Sequence, residues 1–205
     1  MSSRGTLFVV AAPSGAGKTS LVRALIKRMP QLRFSISYTT RRRRETEQHG
    51  RDYYFVDRAE FDRMVADGEF LEHAQVFDNS YGTARAQVES ILAHGENVLL
   101  EIDWQGAQQV RAAMPECRSI FILPPSREAL EQRLRGRATD SEEVIARRLR
   151  DSIADMSHWD EFDYVVINDD FERATSDLEA IASGKGESLT RGRAEVQTLI
   201  RKLLG

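Results

Sequence analysis

The chain has 205 residues, 41% of them hydrophobic and 30% charged, with a formal net charge of −3. That length supports one substantial core, or one core carrying small inserted lobes, and argues against two full-sized domains. The net charge argues against a basic nucleic-acid surface. No apolar stretch approaches the roughly 20 residues that cross a bilayer, and Met1-Ser-Ser-Arg-Gly5 shows no signal-peptide pattern, so a cytoplasmic protein with no nucleic-acid or membrane partner is expected.

The first element is a strand, from the apolar run Thr6-Leu-Phe-Val-Val-Ala11. After Ala12-Pro-Ser-Gly-Ala-Gly-Lys-Thr19 comes a segment whose Leu21, Leu25 and Met29 recur at helical spacing. Strand, glycine loop and helix in that order make a phosphate-binding loop the favoured reading over an ordinary glycine turn. A helix start presents amide hydrogens and the positive end of its dipole, so a loop feeding into it can wrap a polyphosphate in backbone donors. Gly15 and Gly17 leave room for the wrapping, Lys18 reaches the β- and γ-phosphates, and the Thr19 hydroxyl takes one place on a magnesium ion that comes with the nucleotide. Ala12 stands where the pattern asks for glycine, which an ordinary backbone conformation there tolerates.

Arg33-Phe-Ser-Ile-Ser-Tyr38 alternates and reads as a second strand, ending in Thr39-Thr40 and four consecutive arginines, Arg41 to Arg44. By charge alone the run is either a solvated stretch or a site for a compact anion, the former favoured. From Glu45 to about Gly82 the β-prone pieces Tyr53-Tyr-Phe-Val56 and Glu72-His-Ala-Gln-Val76 surround a helical Arg58–Val65, which predicts a small inserted α+β lobe.

Core pattern resumes with a helix over Ala84–Ala93, Gly95 as its cap, and the strand Asn97–Asp103. That strand carries Glu101 and Asp103 at its C-terminal end, where open α/β sheets bind ligands. A helix from Gln105 and the strand Ser119–Leu123 follow. Residues 126–157 read as two arginine-rich helices around a break at Gly136-Arg-Ala-Thr-Asp140, either a lid over a triphosphate or a surface hairpin, with pattern alone favouring neither. The strand Tyr164–Asn168 and helices over Phe171–Ser183 and Leu189–Leu204 close the chain. Strands alternating with helices predict a parallel sheet covered on both faces. The lone Cys117 reads as a buried structural thiol, and the scattered histidines assign no metal to the protein alone. Against four lysines stand 25 arginines, the side chain suited to gripping phosphate with two parallel hydrogen bonds.

Together these stretches resemble the guanylate kinases of bacteria over nearly the whole chain. The resemblance rests on the glycine loop, Ser37-Tyr-Thr-Thr-Arg41, Gly50-Arg-Asp-Tyr-Tyr-Phe55, Phe70-Leu-Glu-His-Ala74, Tyr81-Gly-Thr83, Ile102-Asp-Trp-Gln-Gly106, Arg133-Leu-Arg-Gly-Arg137 and Val166-Ile-Asn-Asp-Asp170. It implies a P-loop nucleoside monophosphate kinase, with a core of residues 1–37, 84–125 and 158–205, a GMP-binding lobe of 38–83 and a helical lid of 126–157. The implied reaction is magnesium-dependent phosphoryl transfer from ATP to GMP, in purine metabolism; a homo-oligomer is compatible with the sequence. ATP binding is implied for Ala12, Pro13, Ser14, Gly15, Ala16, Gly17, Lys18, Thr19, Ser20, Arg133, Arg137 and Asn168. GMP binding is implied for Ser37, Arg41, Arg44, Glu47, Tyr53, Glu72, Tyr81, Thr83, Glu101 and Asp103, with Arg41, Arg44, Tyr53 and Tyr81 on the phosphate and Glu72 on the guanine edge. Lys18, Arg41, Arg137 and Arg148 are the implied catalytic cations, and Glu101 stands where relatives often carry aspartate. Competing readings are an inactive protein-interaction scaffold, disfavoured by the intact Lys18 and Thr19, and a ribose-phosphate kinase, which has no use for Glu72.

Overall fold

The computed structural model describes residues 4–76, 78–136 and 141–205. Two compact units divide the chain: Met1–Val9 with Gln31–Cys117, and Val10–Pro30 with Arg118–Gly205. The first strand, β1 (Leu7–Ala11), is buried at every position and is divided between them.

In the first unit, the expected strand over Arg33–Tyr38 is two short strands in two different sheets. β2 (Arg33–Phe34) pairs in parallel with the strand at Val98–Glu101, and the Ser35 amide still donates to the Leu99 carbonyl at 3.1 Å. After that the chain leaves the sheet, and β3 (Tyr38–Thr39) pairs in parallel with β4 (Tyr54–Phe55). Alternating residues specify an extended backbone but not which partner each half takes.

Helix α2 (Arg58–Ala66) begins at Asp57, whose carboxylate accepts the Glu60 amide hydrogen at 2.8 Å. It packs Phe61 and Met64 against Phe70 in a small separate core edged by Tyr38, Val56 and Val65. Strands β5 (Phe70–Val76) and β6 (Asn79–Ala84) form an antiparallel pair, and the lobe sheet has the order β4-β3-β6-β5. β6 was not expected from its residues, since Asn79, Ser80 and Gly82 are poor strand formers. Its pairing on both sides, with β5 and β3, holds it extended, and Gly82 admits the Phe70 ring, which a methyl group would meet at 2.9 Å. α3 (Arg85–Ala93), β7 (Val98–Glu101) and α4 (Trp104–Ala113) complete this unit. β7 stops short of the expected end, because Asp103 instead caps α4, accepting the Gly106 amide hydrogen at 2.7 Å.

The second unit holds α1 (Lys18–Arg28), β8 (Arg118–Leu123), α5 (Arg127–Arg135), α6 (Glu142–Met156), β9 (Tyr164–Ile167), α7 (Phe171–Ala182) and α8 (Ala194–Leu204). β8 and β9 run parallel, from Ile120 against Tyr164 to Leu123 against Ile167. The final helix starts five residues later than expected. Leu189 lies in a short 3-10 turn, Thr190 bridges to Tyr164, and the Arg191 and Arg193 side chains donate to the carbonyls of Phe162 and Val165. That tether denies Thr190–Arg193 a helical backbone. The parallel pairings of β2 with β7 in the first unit and of β8 with β9 in the second, with helices between the strands, match the expected fold class. Among the described residues no helix is long and apolar enough to cross a membrane.

Candidate functional site

The predicted donor-site residues lie in the second unit. Gly15 and Gly17 hold φ of 87° and 94°, the left-handed region that glycine enters at no steric cost. Gly17 opens α1 without a capping side chain, whereas Asp57, Asp103, Ser126, Ser141 and Asp170 each cap their helices. Lys18 is the first residue of α1, and Thr19 and Ser20 follow it, exposed on the first turn.

The loop's carbonyl groups are fastened from behind. The buried Asn168 donates through Nδ2 to the Ala16 carbonyl at 2.7 Å, and Arg133 donates to the same oxygen at 3.3 Å and to the Asn168 carbonyl at 2.8 Å. From α6, the Ser152 hydroxyl donates to the Ser14 carbonyl at 3.0 Å. Within a trans peptide the C=O and N–H point in opposite directions, so pinning the Ala16 carbonyl aims the Gly17 amide hydrogen away from Asn168. Arg133 and Asn168, expected on ATP, thus sit directly on the phosphate loop's backbone. Nothing in the sequence marks Ser152 for this contact, since a serine in mid-helix carries no signal for it. Arg148 lies half-buried on α6, and Arg137 lies outside the described residues.

Asn168→Asp, which sets a carboxylate against the Ala16 carbonyl, is expected to raise the ATP KM about tenfold and leave the GMP KM unchanged. Steady-state kinetics with each nucleotide varied in turn checks this.

The predicted acceptor-site residues lie in the first unit. The arginine run stays largely exposed, as its charge predicts, but Arg41 is half-buried and the run curls around one acid. Glu47 pairs with Arg41 at 2.7 Å, accepts the Arg44 amide hydrogen at 2.9 Å, and offers its own carbonyl to Arg43 at 3.0 Å. Arg41 also lies 5.4 Å from the Tyr53 ring centre and 5.8 Å from that of Phe55, so its plane is set by aromatic faces as well as by the carboxylate. Tyr53 and Tyr81 meet edge to face at 6.0 Å. Burial, reinforced by the negative charge of Glu101, pushes the Tyr53 hydroxyl above its ordinary pKa, so it stays a neutral donor.

Glu72 and Thr83 face each other across β5 and β6, and the Thr83 hydroxyl donates to Glu72 Oε1 at 2.5 Å. Both are buried, Glu72 to 3% exposure. Ser37 is half-buried just before β3, with its carbonyl accepting the Tyr54 amide hydrogen. Asp103 is at the head of α4 and Glu101 at the end of β7. Gln109 of α4, not anticipated, exchanges two hydrogen bonds with the His73 backbone, at 3.0 and 2.8 Å, and so ties the outer strand β5 to that helix.

The Arg41 hydrogen bond holds the Glu47 carboxyl below the usual carboxylate range, against the opposing effect of burial. A depressed carboxylate contributes stability that is complete above its unfolded pKa and is lost as pH falls through the folded value. Glu47→Ala is therefore expected to raise the GMP KM by a factor corresponding to about 1–2 kcal/mol, and to lower unfolding free energy at pH 7 but progressively less below about pH 4. Urea denaturation across that range measures the second effect.

Residues 4–184 match the family model described as guanylate kinase. The guanylate kinase of Methylococcus capsulatus is 55% identical over 203 residues, covering 99% of this chain and 100% of that protein. That of Chromohalobacter salexigens is 54% identical over 202 residues, covering 98% and 94%. The crystal structure of guanylate kinase from Anaplasma phagocytophilum superposes with a TM-score of 0.75 at 35% identity, covering 90% of this chain and 88% of that one. With a phosphate loop locked at the head of α1, a buried acid facing a threonine across β5 and β6, and similarity of this extent, the chain belongs to the guanylate kinase family.

Proposed function

We propose that this protein transfers the γ-phosphoryl group of ATP to GMP, giving ADP and GDP, as an ATP:GMP phosphotransferase of purine nucleotide metabolism and GMP recycling. The observation that carries the choice of acceptor is the buried Glu72 carboxylate held by Thr83. Guanine offers N1–H and the N2 amino group as adjacent donors, which a carboxylate accepts together. Adenine has no hydrogen at N1 and would leave those lone pairs unmatched in a buried place, where an unmet polar group costs about 1–3 kcal/mol.

In this reading Arg41, Arg44, Tyr53 and Tyr81 hold the GMP phosphate, and Ser37, Thr83 and Asp103 assist at the base. The pairing of Arg41 with Glu47 supports a guanidinium oriented before its phosphate arrives, which lowers the ordering cost of binding. Glu47 then serves as the arginine's anchor, and Glu101 as a neighbour of Tyr53. Residues 12–20 wrap the triphosphate of ATP, with Lys18 on the β- and γ-phosphates. Arg137 and Arg148 neutralise charge on the transferring group from the proposed lid, 126–157, and residues 38–83 form the proposed GMP lobe. Transfer needs no general base, because the attacking GMP phosphate is already anionic. The catalytic task is to hold two mutually repelling phosphates in line and stabilise the spreading charge.

Magnesium fits this donor site. Among the described residues no cluster of histidine, cysteine or acids is built to hold a metal, while Thr19, an exposed residue next to Lys18, carries a hydroxyl, a hard oxygen suited to an ion that keeps waters and phosphate oxygens as its other ligands. When bound, the ion would neutralise phosphate charge.

An ADP-release assay across GMP, AMP, UMP, CMP and ribose phosphates tests the proposal. GMP is expected to be used at least a hundredfold better than AMP in kcat/KM, about what two lost hydrogen bonds to a charged group imply. Equal turnover of GMP and AMP would overturn it.

A further inference from the structure

The Glu72 carboxylate occupies space that a side chain on α4 would otherwise fill. A Cβ at position 106 would stand 2.6 Å from Glu72 Oε2 and 3.2 Å from its carboxyl carbon, and 3.4 Å from Asp103 Oδ1. Helix conformation does not require a glycine there: Gly106 is absent from the glycines with positive φ, and it lies inside α4, where glycine is about 1 kcal/mol worse than alanine. The residue is disfavoured by helix propensity and demanded by the space the acid takes.

We infer that Gly106 is a specificity-determining position, a positioning residue that sets where the Glu72 carboxylate can stand and thereby how well guanine is told from related purines. The inference rests on the proposal that Glu72 reads guanine. Two contacts leave the carboxylate no easy alternative. Thr83 holds Oε1 from β6, and Gln109 ties the neighbouring His73 backbone to α4, so β5 cannot draw the acid away from the helix. A methyl group at 106 meets the end of a side chain rather than backbone, so the shift falls on the Glu72 carboxylate and the paired acceptor geometry is lost.

The test is Gly106→Ala, with Glu72→Gln beside it, measured for kcat/KM with GMP and with inosine monophosphate, which keeps N1–H but lacks the N2 amino group. Gly106→Ala is expected to leave the ATP KM and the melting temperature essentially unchanged and to reduce the preference for GMP over inosine monophosphate about tenfold, the worth of one hydrogen bond to a charged group. An unchanged preference in Gly106→Ala, with the preference reduced in Glu72→Gln, overturns the inference alone. In Glu72→Gln one acceptor oxygen becomes an amide donor that opposes N1–H, so unchanged kcat/KM values for both nucleotides overturn the guanine-reading role on which it rests. A loss of folding in Gly106→Ala assigns the glycine to packing and also overturns the inference.

Discussion

Lys18→Ala is expected to lower kcat by about a thousandfold or more while leaving the dissociation constant for GMP unchanged. The lysine stands at the first position of α1, behind two glycines in the left-handed region and a carbonyl pinned by Asn168 and Arg133. A loop fastened at that many points does not collapse when one side chain is shortened, so what is lost is a positive charge on the triphosphate. Removing a single preorganised donor from developing charge costs about 10²–10³ in rate, and removing a full cation on a transferring phosphoryl group about 10³–10⁵. The residues proposed for GMP all belong to the other unit, from Ser37 to Asp103, which is why its binding is expected to survive. Single-turnover kinetics with calorimetry for each nucleotide separates the two effects. Loss of GMP binding with ATP binding intact would mean that donor and acceptor sites are assigned the wrong way round.

Glu72→Ala carries the second large effect, a loss of about 2–4 kcal/mol in kcat/KM for GMP, or roughly thirtyfold to a thousandfold. Truncation removes both acceptors and leaves the buried Thr83 hydroxyl, now donating to Glu72 Oε1, to find another partner. The ATP KM should not move, since the residues proposed for ATP belong to the other unit. Unchanged GMP parameters would remove guanine reading from this position, and with it the reason to prefer GMP over another phosphorylated acceptor.

The chain belongs to a family whose motifs are local in sequence, and that is why so much was legible. Ala12 to Thr19 announces its loop because glycine, lysine and a hydroxyl must fall at fixed offsets before a helix, and the structure places two of its glycines where φ is positive. Buried strands such as Ile120–Leu123 are readable as continuous apolar runs. The arginine run was not readable in the same way. Charge alone favours a solvated stretch, which holds for the exposed Arg42 to Arg44, and only the return of Glu47 into the loop, with the Tyr53 and Phe55 rings beneath Arg41, shows how Arg41 is held apart from it.

Periodicity and motif spacing thus determined the alternating parallel fold and the phosphate loop, because each depends on neighbours within a few residues, while the resemblance to a known family named most of the candidate side chains. The tertiary structure decided three things that depend on distant partners. It divided Arg33–Tyr38 between two sheets, made an unpromising Asn79–Ala84 into a strand by pairing it on both sides, and converted Asp103 from the end of a strand into a helix cap. It also set Gly106 beside Glu72 and Asn168 behind Ala16, where the deciding quantity is the space or the hydrogen bond left by a residue far along the chain, which no local pattern encodes.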